Sequence, residues 1–97
     1  MRKLLVQPEA RLDLLEIWHH IARDDLRAAN RVFDKLDSAI CGLVDMPTKG
    51  HTRADVRHPA YRFWTIYSYV IAYRFDDETL IVIRVVHGRR NLKRLLR

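Results

Sequence analysis

Cysteine occurs once, at Cys41, so no disulfide can form within the chain and an intracellular setting is the simpler expectation. The three glycines, Gly42, Gly50 and Gly88, leave no material for a glycine-rich phosphate loop. No apolar run approaches the length of a membrane span. Even the start, Met1-Arg2-Lys3-Leu4-Leu5-Val6, which opens like a signal peptide, is cut short by Gln7-Pro8-Glu9. Acid is scarce in one half only: Met1 to Pro47 holds seven Lys/Arg against eight Asp/Glu, whereas Thr48 to Arg97 holds eleven against four. These absences point to a soluble cytoplasmic protein whose second half carries a positive field. A solvated basic face kept for solubility is the plainer reading of the same charge.

What is present is ordinary globular composition, 48% hydrophobic and 31% charged, in 97 residues. That length builds one modest core, so residues 1–97 are read as a single domain. Leu4-Leu5-Val6 is a short strand candidate, and Pro8 suits the first turn of a helix because its missing N–H would be unpaired there. The first helix is expected from Glu9 to Arg23, with Ala10, Leu14, Ile17 and Ile21 on one face and Leu15, Trp18 and Ala22 widening the apolar arc. Asp25 is a reasonable N-cap for a second helix from Leu26 to Val44, where Ala29, Val32, Phe33, Leu36, Ile40, Leu43 and Val44 keep three-four spacing. Cys41, on the rim of that stripe, reads as a small packed side chain.

Three strands follow a polar connection, over residues 61–67, 69–75 and 79–87, the last rich in β-branched residues. The order β-α-α-β-β-β predicts an α+β fold with a helical hairpin on one face of an antiparallel sheet. Strict alternation places Ile81, Ile83 and Val85 on one face and Leu80, Val82, Arg84 and Val86 on the other. The open face would then display Arg62, Arg74 and Arg84 among apolar residues.

Five histidines invite a metal, but His19 and His20 are adjacent on a helix, and His51, His58 and His87 lack carboxylates at a familiar ligand spacing. No metal and no cofactor are expected. Ser38 and Ser68 lack a nucleophile-elbow context. What remains is His87 with Arg62, Arg84, Arg89 and Arg90 near the end of the sheet. Such a group could hold a scissile phosphate while His87 moves protons, or His87 could simply close its strand before Gly88.

The runs Pro8-Glu9-Ala10, Asp13-Leu14, Glu16-Ile17-Trp18, Ile21-Ala22 and Ala28-Ala29, then Pro47, Gly50 and Arg53, then Tyr69 to Arg74 and Arg84 to Asn91 carry a resemblance. In this order and at this length the chain resembles the ParE branch of the bacterial RelE/ParE toxins. The resemblance implies the toxin of a type II toxin–antitoxin module, held in a hetero-oligomer by a ParD-like antitoxin and acting by inhibiting DNA gyrase. RelE-branch relatives instead cut mRNA on the ribosome. Of the RelE-pattern catalytic positions, Arg62 and Arg90 are retained, Trp64 and Val70 stand where basic residues are common, and the final tyrosine would fall near Leu96. A ribonuclease needs groups to activate the 2′-hydroxyl and protonate the leaving oxygen. Most of that set is missing, so the expectation is a binder, with Arg62, Trp64, Arg84, His87, Arg89, Arg90, Lys93 and Arg94 facing the target. The alternatives are a ribonuclease using Arg62, Arg84, His87 and Arg90, and an inactive orphan that only binds antitoxin. The antitoxin is expected on Leu12, Leu15, Trp18 and His19, continuing onto Arg62 and Arg74 and joining apolar anchors to charge.

Overall fold

The computed structural model describes residues 2–56 and 60–88. The chain runs β1 (Lys3–Val6), α1 (Pro8–Ala22), α2 (Leu26–Asp45), a 3-10 turn (Pro47–Lys49), β2 (Arg62–Ile66), β3 (Tyr69–Phe75) and β4 (Thr79–His87). Pro8 opens α1 as expected, and the Asp25 side chain caps α2 by accepting from the Ala28 N–H at 3.0 Å. The sheet order is β1-β4-β3-β2. β2, β3 and β4 are antiparallel neighbours, while β1 adds in parallel at the β4 edge, so the sheet is mixed rather than wholly antiparallel.

The sheet has two unequal apolar faces. On the helical side, Ala10 of α1 and Leu36, Ile40 and Leu43 of α2 pack on Ile71, Tyr73, Leu80, Val82 and Val85. Leu43, Ile71, Leu80 and Val82 are wholly inaccessible to solvent, and burial of such side chains is worth roughly 1.5–3 kcal/mol each. On the far side Val56, Phe63, Val70, Ala72 and Val86 form a smaller cluster. The alternation expected of β4 is broken. Val82 and Val85 share the helical core although they stand three positions apart, because β4 carries an extra residue where Ala72 pairs with Arg84 and Tyr73 pairs with Val82. That bulge shifts the phase of everything after Ile83.

Two tight turns join the antiparallel strands. Ile66 pairs with Tyr69, leaving Tyr67 and Ser68 as a two-residue turn in which Tyr67 takes φ 52°, the left-handed region that primed hairpin turns demand. In the β3–β4 turn the Asp76 carboxylate accepts from the N–H groups of Glu78 and Thr79, both at 2.8 Å. These amides hold the Asp76 carboxyl below the usual carboxylate range. A depressed folded-state value stabilises above the unfolded value of about 3.9 and is lost as pH falls through the folded one. Thermal unfolding followed from pH 6 to pH 2 should therefore show a smaller acid-induced drop for Asp76→Asn than for the wild type. Equal drops would assign the acid sensitivity elsewhere.

Candidate functional site

The charged groups that sequence reasoning placed on one open face are distributed among three places. Arg84 points to α1: its Nε donates to Asp13 Oδ2 at 2.7 Å and its second nitrogen to Oδ1 at 2.8 Å, while the Val85 N–H donates to Oδ2 at 2.9 Å. The Asp13 side chain is 9% exposed and that of Arg84 20%. The carboxylate raises the Arg84 pKa further above its ordinary value. Arg84 is thus an internal clamp between α1 and the β4 bulge, not an exposed cation at the sheet end, because its guanidinium is taken up by the Asp13 carboxylate.

Arg62 lies on the helical side too. It donates to the Gly50 carbonyl at 2.9 Å and packs over the Phe75 ring. Its neighbour across the strands, Tyr73, is fully buried, donates from its hydroxyl to the Pro47 carbonyl at 2.5 Å and accepts from the Gly50 N–H at 2.9 Å. Burial pushes the Tyr73 phenol up. Arg62 and Tyr73 therefore pin the turn after α2 onto the sheet. Trp64, two residues along β2, has Lys49 Nζ at 4.5 Å from its ring centroid and His51 stacked at 6.5 Å. Arg74 is the one of the three arginines left exposed, and β3 alternation sets it on the far face with Val70 and Ala72.

His87 occupies the opposite end of the sheet from Arg62. Arg62 pairs with Tyr73 and His87 with Tyr69, so four residues of β3, about 13 Å of strand, separate them. The His87 ring meets Tyr69 edge-on at 5.8 Å and lines a cleft of about 410 Å³ with Asp13, Glu16, Ile17 and His20. The cluster of Arg62, Arg84 and His87 envisaged for phosphate chemistry is accordingly not assembled. Arg89, Arg90, Lys93 and Arg94 lie outside the described residues.

On α1, Leu12 and Leu15 are 60% and 52% exposed and His19 is exposed, so this shoulder does face solvent. Trp18 is half-buried and ties α1 to α2 by donating from Nε1 to Asn30 Oδ1 at 3.0 Å. The shoulder does not continue onto Arg62 and Arg74. α1 packs on α2 and β4, whereas Arg62 sits on the edge strand β2 and Arg74 on the far sheet face. Cys41 is exposed rather than packed. Among the described residues no group of three His, Cys, Asp or Glu is placed to hold a metal, and no helix is long and apolar enough to cross a membrane.

Sequence reasoning missed Asp13, Tyr73, Lys49 and His51 as structural determinants. The signal for Asp13 was present: it falls between Ala10 and Ile17 on the apolar face of α1, where an unpaired carboxylate would be costly.

Comparison with known proteins fits this architecture. The chain is 25% identical over 81 residues to toxin ParE3 of Caulobacter vibrioides, an alignment covering 82% of this chain and 80% of the relative. A chain of the chromosomal ParDE toxin–antitoxin system of P. aeruginosa superposes with a TM-score of 0.74 at 18% identity, covering 90% of this chain and 96% of that one. A chain of the RelBE2 toxin–antitoxin complex of Mycobacterium tuberculosis gives 0.63 at 22% identity, covering 89% and 90%. Both likenesses establish the fold. Residues 4–92 match the family described as the ParE toxin of the type II toxin–antitoxin system parDE, and the chain belongs to that family.

Proposed function

We propose that this ParE-family toxin stops growth by binding DNA gyrase, not by cleaving RNA, and that a ParD-like antitoxin neutralises it. The observation that carries the reading is the fate of the two arginines: Arg62 is engaged by the Gly50 carbonyl at the other end of the sheet from His87, and Arg84, although its partner Asp13 borders the His87 cleft, is spent on that carboxylate. General acid–base cleavage of a phosphodiester requires its proton-transfer group and its phosphate-stabilising cations around one reacting atom. Here they do not converge. A toxin without that convergence acts by occupying a surface.

The antitoxin is placed on the exposed α1 shoulder, where Leu12 and Leu15 offer apolar anchors beside Glu16 and His19. An amphipathic segment laid along such a stripe would use Leu12 and Leu15 as its apolar contacts, in the manner of a helix-in-groove interface. Induction in bacteria tests both parts in one experiment. The wild type should produce DNA breaks and a damage response before protein synthesis falls, and His87→Gln should retain most of that effect. A catalytic His87 would instead lose ~10²–10⁴-fold in rate. Coexpressed antitoxin should silence the wild type and fail to silence Leu15→Glu. Arrest of translation first, with mRNA cleavage abolished by His87→Gln, would replace gyrase with the ribosome as the target.

A further inference from the structure

Tyr67 is the one non-glycine residue among those described with a positive φ, 52°. A bulky side chain in the left-handed region is an outlier, because its Cβ crowds the carbonyl that follows. Glycine, asparagine and aspartate are the residues that fit this place in a two-residue hairpin turn. A tyrosine held there would be understood if its ring packed into the fold. Tyr67 is instead 59% exposed, and its side chain takes part in no hydrogen bond, ion pair or ring contact among the described residues. The strain is carried by the strands on either side. Ile66 pairs with Tyr69, Tyr69 with His87, and the Gly88 N–H donates to the Ser68 carbonyl at 2.7 Å. Backbone strain that the surrounding structure imposes, at a residue from which the fold itself gains little, marks a functional position.

We infer that Tyr67 is the anchor by which this toxin grips the protein it inhibits, its ring seated in an apolar pocket of that partner and its hydroxyl paired there. The inference rests on the reading that the toxin acts by occupying a surface, and not on gyrase being the surface occupied. Tyrosine dominates many protein interfaces because it brings a large ring, few torsions to fix and a hydroxyl to pair. A tight turn braced by its strands presents the ring already in place, so little order is lost on docking. Ile66 and Tyr69 stand half-buried beside it, and the Tyr69 ring meets His87 edge-on. Residues 66–69, 87 and 88 include no Lys or Arg, and the cleft next to them brings in Glu16, so a protein suits this tip better than a nucleic-acid backbone. The antitoxin is placed elsewhere: α1 packs on α2 and β4, whereas the turn belongs to β2 and β3.

Tyr67→Asn in the full chain separates fold from function, since asparagine accepts the left-handed backbone and lacks the ring. The purified variant should melt about 4–8 °C above the wild type, the shift that relief of such strain gives in a domain of this size. Expressed at graded levels in bacteria, it should need roughly 30-fold more protein to stop growth, the usual effect of removing a central aromatic anchor. Tyr67→Phe, which keeps ring and strain, should melt with the wild type and stay within about tenfold of its toxicity. Arg89 and Arg90 are unchanged in every variant. A more stable Tyr67→Asn that stops growth like the wild type overturns the inference. So does one that melts lower, which makes the ring a contact of the fold, and so does a wild type that does not stop growth. Loss of affinity for the coexpressed antitoxin, or for a labelled RNA oligonucleotide, in step with the lost toxicity also overturns it. Purified DNA gyrase tests the proposed target separately. Gyrase binding that falls in Tyr67→Asn supports both readings, whereas arrest that needs Tyr67 without any gyrase binding removes gyrase and leaves the anchor.

Discussion

Asp13→Ala is expected to lower the stability of the domain by about 3–5 kcal/mol, the usual consequence of removing one partner of a buried ion pair. The carboxylate receives three hydrogen bonds, two from the Arg84 guanidinium and one from the Val85 amide. Its loss leaves a half-buried cation and an unsatisfied main-chain donor at the point where α1 crosses β4. Urea unfolding should show the midpoint falling with little change in slope. The double substitution Asp13→Leu, Arg84→Met should recover much of the loss, since an apolar pair of similar volume often matches a buried ion pair. If Asp13→Ala unfolds within 1 kcal/mol of the wild type, the pair is a surface contact and the clamp does not exist. The same geometry alters how Arg84→Ala must be judged. A drop in toxicity in that variant reports folding unless the purified protein melts normally.

Gly50→Ala is the second substitution with a large expected effect. The Gly50 backbone has φ −74°, which any residue adopts, so the constraint there is space alone. A Cβ would stand 2.8 Å from Tyr73 Cε1 and 2.9 Å from Cζ, and Tyr73 is wholly buried with nowhere to move. Overpacking of this kind costs about 1–3 kcal/mol. Displacing the ring also endangers its hydrogen bonds to Gly50 and Pro47, so a total at or above the upper end of that range is expected. Differential scanning fluorimetry gives the readout, with Tyr73→Phe as the companion that removes the hydroxyl and relieves part of the clash. Should Gly50→Ala melt like the wild type, the turn after α2 is not pinned as described.

Periodicity carried most of the fold. The three-four pattern of α2 and the β-branched run of β4 fix their elements to within a residue or two, because each shows its own side-chain preference along the local chain. The two-residue turn at Tyr67-Ser68 was illegible because it uses none of the residues that announce φ above zero, and the hairpin is held by its strands instead. The bulge in β4 had no local mark either. One added residue left the composition of the strand intact but moved Val85 into the helical core, while the pairing of Arg84 with Asp13 and of Arg62 with the Gly50 carbonyl dispersed the supposed open row of Arg62, Arg74 and Arg84. The candidate site suffered most from that shift. Cations are easy to count in a sequence, but which of them are engaged depends on long-range pairs such as Asp13 with Arg84, whose partners lie 71 positions apart.

The parallel pairing of β1 with β4 also governs when the protein exists. Lys3 is matched to Thr79 and Val6 to Val82, so among the described residues the first strand pairs only with the last. Contacts closed over such a separation form late and slowly compared with local ones. A nascent chain that has not reached Thr79 holds β1 without an edge to join and Asp13 without its arginine. Premature termination or proteolytic loss anywhere before β4 should therefore leave no partly armed fragment, only chain that cannot complete its sheet. Strand β4 thus tests whether everything from β1 onward has been made.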